Sequence, residues 1–164
     1  MKIIIVNELD EIIGTKERSE VDYTKDIYRI SCLWLNNSKG EVLLAKRSMN
    51  KDKDPGKWGP AVAGTNDAGE TYESNIYKEA QEEIGLTGVE FTRYNQPAYK
   101  DYPRKHFEQW FTVTLDRDAS SFTLQEEEVD EATWFTLERV KQELAENPDK
   151  FIPALPQIIK DLGL

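Results

Sequence analysis

The chain has 164 residues, 38% of them hydrophobic and 32% charged, a length and mix that suit one folded domain and exclude a disordered segment. The 31 acidic against 21 basic side chains leave a formal net charge of −10, which argues against a nonspecific nucleic-acid polymer binder, because such a protein needs a basic surface to displace counterions. A single cysteine and a single histidine exclude an intramolecular disulfide and nearly exclude a zinc site, so any metal ion is expected to be hard and held by oxygen.

The opening apolar run, Met1 to Val6, is too short for a signal h-region or a membrane span, and a cytoplasmic location is the default expectation. Residues 2–6 and 11–18 read as a hairpin across Glu8-Leu9-Asp10. Residues 28–35 and 41–46 read as a second hairpin across the turn formers Asn36 to Gly40. In the first of these strands Ile30, Cys32 and Trp34 share one face while Leu33 and Leu35 share the other, so cover on both sides is expected. A charged loop over 47–57 leads to a short strand near 58–64.

A helix follows over about 71–84, with Thr71 as N-cap, Glu73 in the first turn and Gly85 as the terminating glycine. Tyr99, Tyr102, Arg104 and Lys105 fall in an expected loop that could gate a pocket. Residues 106–115 alternate as a half-buried strand, with Phe107, Gln109, Phe111 and Val113 on one side and Glu108, Trp110 and Thr112 on the other. A strand near Thr133–Phe135, a helix capped by Thr136, and a last helix over about 153–162 with Pro153 in its first turn complete the chain. No repeat or boundary divides it, so 1–164 is read as one α/β domain with helices packed on a sheet.

The chemistry concentrates on the helix over 71–84. Glu79, Glu82 and Glu83 lie at i, i+3 and i+4, which puts three carboxylates on one surface. Like charges this close need a counter-charge, and a hard divalent cation supplies it through oxygen ligands. An acidic run on a helix is more often a solvated face. Here Ile76, Ala80 and Ile84 recur every four residues, which brings the acidic face to the core boundary. Gly64 ends the preceding strand, where a bare backbone can approach a ligand.

Gly64, Glu70 and the run Lys78-Glu79-Ala80-Gln81-Glu82-Glu83-Ile84-Gly85-Leu86 resemble the Nudix box at every fixed position except one, where Lys78 replaces an arginine. The resemblance implies an α/β/α sandwich with a mixed β-sheet and an N-terminal β-hairpin. It also implies a hydrolase that cleaves a diphosphate linkage by water attack at phosphorus. Glu79, Glu82 and Glu83 would bind Mg²⁺ or Mn²⁺ with help from the Gly64 carbonyl. Glu70, Lys78 and Gly85 would be structural, and Lys78 is expected to pair with Glu82 at i+4. The catalytic base is placed variably in the family: Glu128 in the run Gln125 to Val129 aligns best, followed by Glu126 and Glu127.

Beyond the box, Asn7 to Gly14, Arg18, Tyr28-Arg29, Leu44 to Ser48, Lys51 and Pro55 to Trp58 resemble the branch related to isopentenyl-diphosphate isomerase. Isomerase activity itself is disfavoured, because Ala63 and Thr65 stand where the isomerases carry a catalytic cysteine and a metal-binding histidine. A third reading, a Nudix-like domain that only binds and regulates, fits poorly with so complete a box.

Arg47 is the leading substrate contact, with Lys51, Lys53 and Lys57 as further cations for phosphate oxygens. Trp110 is either a stacking surface for a flat group or a core residue. The expected partner is a small-molecule diphosphate: nucleoside triphosphates, nucleotide sugars, dinucleotides and prenyl diphosphates all remain open. No membrane partner is expected. The N-terminal hairpin leaves room for a homodimer.

Overall fold

The computed structural model describes residues 1–164, arranged around a nine-stranded mixed sheet. The strands are β1 (Lys2–Val6), β2 (Ile12–Glu17), β3 (Ile27–Asn36), β4 (Val42–Arg47), β5 (Trp58–Pro60), β6 (Val62–Thr65), β7 (Thr92–Lys100), β8 (His106–Thr114) and β9 (Val129–Phe135). The helices are α1 (Tyr72–Ile84), α2 (Leu137–Glu146) and α3 (Leu155–Asp161). None is long and apolar enough to cross a membrane.

The ten-residue strand β3 organises the sheet. One edge runs parallel to β8 from Tyr28 opposite His106 to Asn36 opposite Thr114. The other edge is shared by β1 at Ile27 and Tyr28, β6 at Ile30 to Leu33, and β4 at Asn36 alone. Period-two alternation along β3 divides the core. Leu33 and Leu35 pack with Ile76, Ala80 and Ile84 of α1, while Cys32 and Trp34 pack with Val140 of α2 and Leu155, Ile158 and Ile159 of α3. Both faces are therefore covered, as the sequence implied, and the layers are α/β/α. Each fully buried aliphatic side chain contributes about 1.5–3 kcal/mol relative to exposure.

The N-terminal hairpin forms as expected, with Lys2 opposite Glu17 and an irregularity at Val6. Its outer strand β2 is an edge, and Leu9, Ile12 and Ile13 stand exposed on it and its turn.

Four sequence expectations need correction. The second hairpin survives only at its turn, where the Asn37 side-chain carbonyl accepts from Lys39 N and Glu41 N. Beyond Asn36 opposite Val42 the two strands separate, because β6 takes that edge of β3 while β4 pairs with β5 and β9. The single strand expected over 58–64 is two strands with different partners, interrupted at Ala61. The expected loop containing Tyr99 is strand β7, and only 101–105 is a turn. This strand is an exposed edge broken by a bulge between Tyr94 and Ala98, so it shows no apolar alternation. Finally, the last helix takes Pro156, not Pro153, into its first turn.

The strand over 106–114 is also more deeply covered than half: His106 through Phe111 are all buried. Gln109 sits among apolar neighbours because its Nε2 donates to the carbonyls of Tyr94 (3.1 Å) and Asn95 (3.3 Å), which ties down the β7 bulge.

Candidate metal and hydrolytic site

Helix α1 is fixed at both ends by its own sequence. The Thr71 hydroxyl accepts from Ser74 N (3.1 Å), and the Ser74 hydroxyl accepts from Thr71 N (2.9 Å), a reciprocal cap. Gly85 closes the helix in the left-handed region at φ 67°.

The loop between Gly64 and α1 is braced by two box residues. Glu70 accepts from Asp67 N and from Asn75 Nδ2, both at 2.8 Å. Lys78 Nζ lies 2.6 Å from Glu70 Oε1 and 2.9 Å from Asp67 Oδ2. Burial opposes the charge on Lys78, yet these two carboxylates hold its pKa above the ordinary value. The same ammonium, working against burial, lowers that of Glu70. The expected partnership of Lys78 with Glu82 is not formed. The loop offers two acids at once, and the ammonium turns toward them and away from the exposed Glu82.

Glu79 and Glu83 face inward from α1. Burial raises the pKa of Glu79 to about 7, with Lys78 opposing and Glu82 reinforcing. Burial, then the charges of Glu79 and Glu128, raise that of Glu83 to about 8, although Ala63 N donates to its carboxylate at 3.4 Å. No three acidic side chains meet at one point: Glu79 leans to Asn75 Nδ2 (3.3 Å), Glu83 leans to Ala63, and Glu82 stands at the surface.

The donors suit a hard cation. They are carboxylate oxygens with no thiol or imidazole among them, and ionising the inward pair requires added positive charge. Gly64 adds a steric observation: a Cβ there would lie 2.3 Å from the carboxyl carbon of Glu79. Only glycine lets the strand and this carboxylate share the space.

Glu128 belongs to the segment that Gln125 N fastens to the Glu83 carbonyl at 3.0 Å, and its charge helps to raise the pKa of Glu83. It forms an ion pair with Lys51, and its carbonyl accepts from Ser48 N at 3.0 Å. Glu126 and Glu127 are exposed, so the structure separates Glu128 from its two neighbours. Lys51 is thereby engaged by a carboxylate rather than left free for a phosphate. Arg47 ends β4, and its Nε donates to the Lys53 carbonyl at 2.9 Å. Of the two readings of Trp110, a stacking surface or a core residue, the structure shows the core one. Trp110 is 5% exposed, packs edge-to-face on Trp34 at 6.3 Å, and donates from Nε1 to Glu108, so no ring face remains for a ligand.

Sequence reading missed Asn75. It is fully buried and donates to the Thr65 carbonyl, Glu70 and Glu79. Its signal was its place in the stripe Asn75, Glu79, Glu83, spaced by four beside the apolar stripe. A cavity of about 490 Å³ lies at the other end of α1, lined in part by Arg29, Glu73 and Arg93. It contains none of the expected site residues, and its arginines are paired with Asp10 and Glu73.

An α/β/α sandwich that sets a row of helical carboxylates against a glycine strand is the architecture of a phosphoanhydride hydrolase of the kind the box implies. The comparisons agree: residues 27–155 match the family model described as NUDIX domain, and the chain belongs to the Nudix hydrolase family. The chain is 30% identical over 149 residues to the uncharacterised Nudix hydrolase YfcD of Escherichia coli, covering 91% of this chain and 79% of that protein. It is 31% identical over 156 residues to a Nudix hydrolase of Listeria monocytogenes, covering 91% and 86%. Among solved structures, a Deinococcus radiodurans protein superposes with a TM-score of 0.81 over 99% of both chains at 22% identity, a likeness of fold. The MutT protein of Methanosarcina mazei superposes with a TM-score of 0.62 over 83% and 89% at 25% identity. Enzymes of this family hydrolyse small molecules built on a nucleoside diphosphate and generally use divalent metal ions.

Proposed function

We propose that this enzyme hydrolyses the diphosphate linkage of a small molecule with Mg²⁺ or Mn²⁺, through Glu79, Glu82, Glu83 and the Gly64 carbonyl as ligands. The observation that carries this reading is the close approach of Gly64 to Glu79, beside the inward-facing Glu83. A bound divalent cation supplies neutralisation of phosphate oxygens and a more acidic water. The protein's own part is placement. Glu70 and Lys78 hold the loop so that Gly64 and Glu79 stay in register, and Asn75 fixes one oxygen of Glu79. The attacking water must yield its proton to a carboxylate as the phosphoanhydride bond breaks. Glu128 serves as that base, with Lys51 holding it in place opposite Glu83. The span 1–164 acts as one domain.

Hydrolysis is favoured over isomerisation because Ala63 offers no nucleophile and the only histidine, His106, is engaged through Nδ1 with the Arg104 carbonyl at 2.8 Å. The test is a panel of diphosphate compounds with Mg²⁺ or Mn²⁺, comparing wild type with Glu83→Gln. Loss of one metal-holding carboxylate is expected to lower turnover at least about 100-fold while circular dichroism stays unchanged. Full activity in the variant would overturn the assignment, and a wild type inert toward every diphosphate would point to a binding domain.

A further inference from the structure

We propose that Asn75 stands in for half of the arginine that the box calls for: it grips one oxygen of Glu70 while Lys78 sits on the other, and it carries that brace to Glu79. The inference deepens the hydrolase reading and rests on it for what Glu79 does; the brace itself rests on the geometry of the loop and helix alone.

A lysine in the place of an arginine loses a shape as well as donors. A guanidinium is a planar fork that takes both oxygens of a carboxylate in parallel, whereas an ammonium is a point charge. In this chain the two oxygens of Glu70 are divided between two side chains. Lys78 Nζ lies 2.6 Å from Oε1, and Asn75 Nδ2 donates to Oε2 at 2.8 Å. Asp67 N holds Oε2 from the loop side at the same 2.8 Å, so Asn75 is the grip that comes from the helix. Asn75 and Lys78 lie at i and i+3 of α1, which sets both side chains on one surface above the loop. Together they make the two-pronged contact that a single guanidinium makes alone.

The supply of donors points the same way. An ammonium carries three N–H groups and a guanidinium five. Two buried acceptors in this brace have no donor, Asp67 Oδ1 and Asn75 Oδ1. Asp67 is the residue whose other oxygen Lys78 holds at 2.9 Å. The loop is thus short of donors at the place where an arginine would bring more of them.

The brace reaches the carboxylate row through the same amide. Asn75 Nδ2 also donates to the Thr65 carbonyl (3.2 Å), next to Gly64, and to Glu79 Oε1 (3.3 Å). Lys78 Nζ lies 3.8 Å from that same oxygen of Glu79. Asn75 is fully buried, so water does not replace these contacts. It is a positioning residue: it acts on a cation only through the carboxylate that it orients.

The test is a double-mutant cycle between Asn75→Ala and Lys78→Arg. It is read by calorimetric titration of Mn²⁺ into metal-stripped protein, with melting temperature and turnover measured on the same samples. Asn75→Ala alone is expected to weaken Mn²⁺ binding about ten-fold. Combined with Lys78→Arg, the same substitution should cost less than about two-fold, because the guanidinium takes both oxygens of Glu70. A side chain that only filled space would cost as much in either background. Gln81→Ala, exposed on the same helix, should match wild type. Equal losses in the two backgrounds, no loss in either, or failure to fold in both would overturn the proposal. Folding rescued by Lys78→Arg would uphold it. A wild type that binds no Mn²⁺ would overturn the metal assignment of Glu79 instead. The melting temperatures would then decide the brace: a loss relieved by Lys78→Arg upholds it, and an equal loss refutes it.

Discussion

At the scale of single residues, Gly64 and Glu79 compete for one volume. Gly64→Ala places its new methyl 2.3–2.5 Å from the carboxyl group of Glu79. The Cγ of Glu79 is met at 2.3 Å as well, so the whole side chain must swing aside, which it can do without unfolding the sheet. Melting temperature is therefore expected to fall by only a few degrees, while turnover falls about 100-fold, as for a catalytic group displaced by an ångström. Kinetics and melting measured on the same preparation check this, and a loss of stability with unchanged kcat would contradict it. Glu79, Glu82 and Glu83 were legible because their spacing is a helical period, whereas the roles of Glu70 and Lys78 came from the resemblance to the box. The partners were not. Lys78 reaches Asp67 and Glu70 because the loop folds back over it, and Asn75 matters only because burial leaves its amide three acceptors. Trp110 shows the converse: a strand tryptophan beside a glutamate has the same pattern whether it stacks on a ligand or, as here, on Trp34.

At the scale of elements, the C-terminus of α1 joins two parts of the site. Thr123 N donates to the Ile84 carbonyl (3.1 Å), and Gln125 N to the Glu83 carbonyl (3.0 Å), so the segment leading to Glu128 is fastened to the end of the helix. Gly85 allows this approach, since a Cβ there would meet Thr123 Cβ at 2.9 Å from a left-handed backbone. Gly85→Ala is expected to cost about 1–2 kcal/mol from the backbone alone, a fall of about 2–4 °C per kcal/mol. The kcat should drop as well, because the strain shifts the Glu128 segment. Thermal melts and kinetics would detect both, and a change in neither would refute the coupling. Helix α1 was readable from its caps and apolar stripe. Strand β7 was not, because an exposed, bulged edge lacks the alternation that identifies strands. The pairing of β3 with β4 misled for a related reason: a good turn sequence fixes a turn, and which strands then occupy each edge is decided by the rest of the sheet.

At the scale of the whole molecule, the inward carboxylates make stability depend on pH and metal together. Glu79 and Glu83 have native values raised from 4.5 to about 7 and about 8. A carboxyl group whose native value is raised favours the fold while protonated. Its contribution is complete below about pH 4.5 and is lost as pH rises through 7 to 8. Metal-stripped protein is thus expected to melt at progressively lower temperature between these limits, and Glu83→Gln to flatten the decline. Divalent cation added at pH 8 should reverse it, by about 2.7 kcal/mol at a hundred-fold excess over the dissociation constant. Scanning calorimetry across pH, with and without Mg²⁺, checks both parts. A pH-independent melt in stripped protein would count against the burial of these acids.

The parallel pairing of β3 with β8 also sets a timetable. Tyr28 meets His106, which lies 78 positions further along the chain (106 − 28), and this is the seam on which the sheet is centred. Contacts so distant in sequence form slowly, because a long loop must close before they give anything back. During synthesis the complete box, ending at Leu86, emerges before any of β8 exists to lie beside β3. For that interval the apolar stripe of α1 faces a sheet lacking its central neighbour, and the carboxylates stand on a helix with no finished surface behind it. The box is thus present in the nascent chain well ahead of any site, and the chain becomes an enzyme only when a strand outside the box arrives to complete the scaffold.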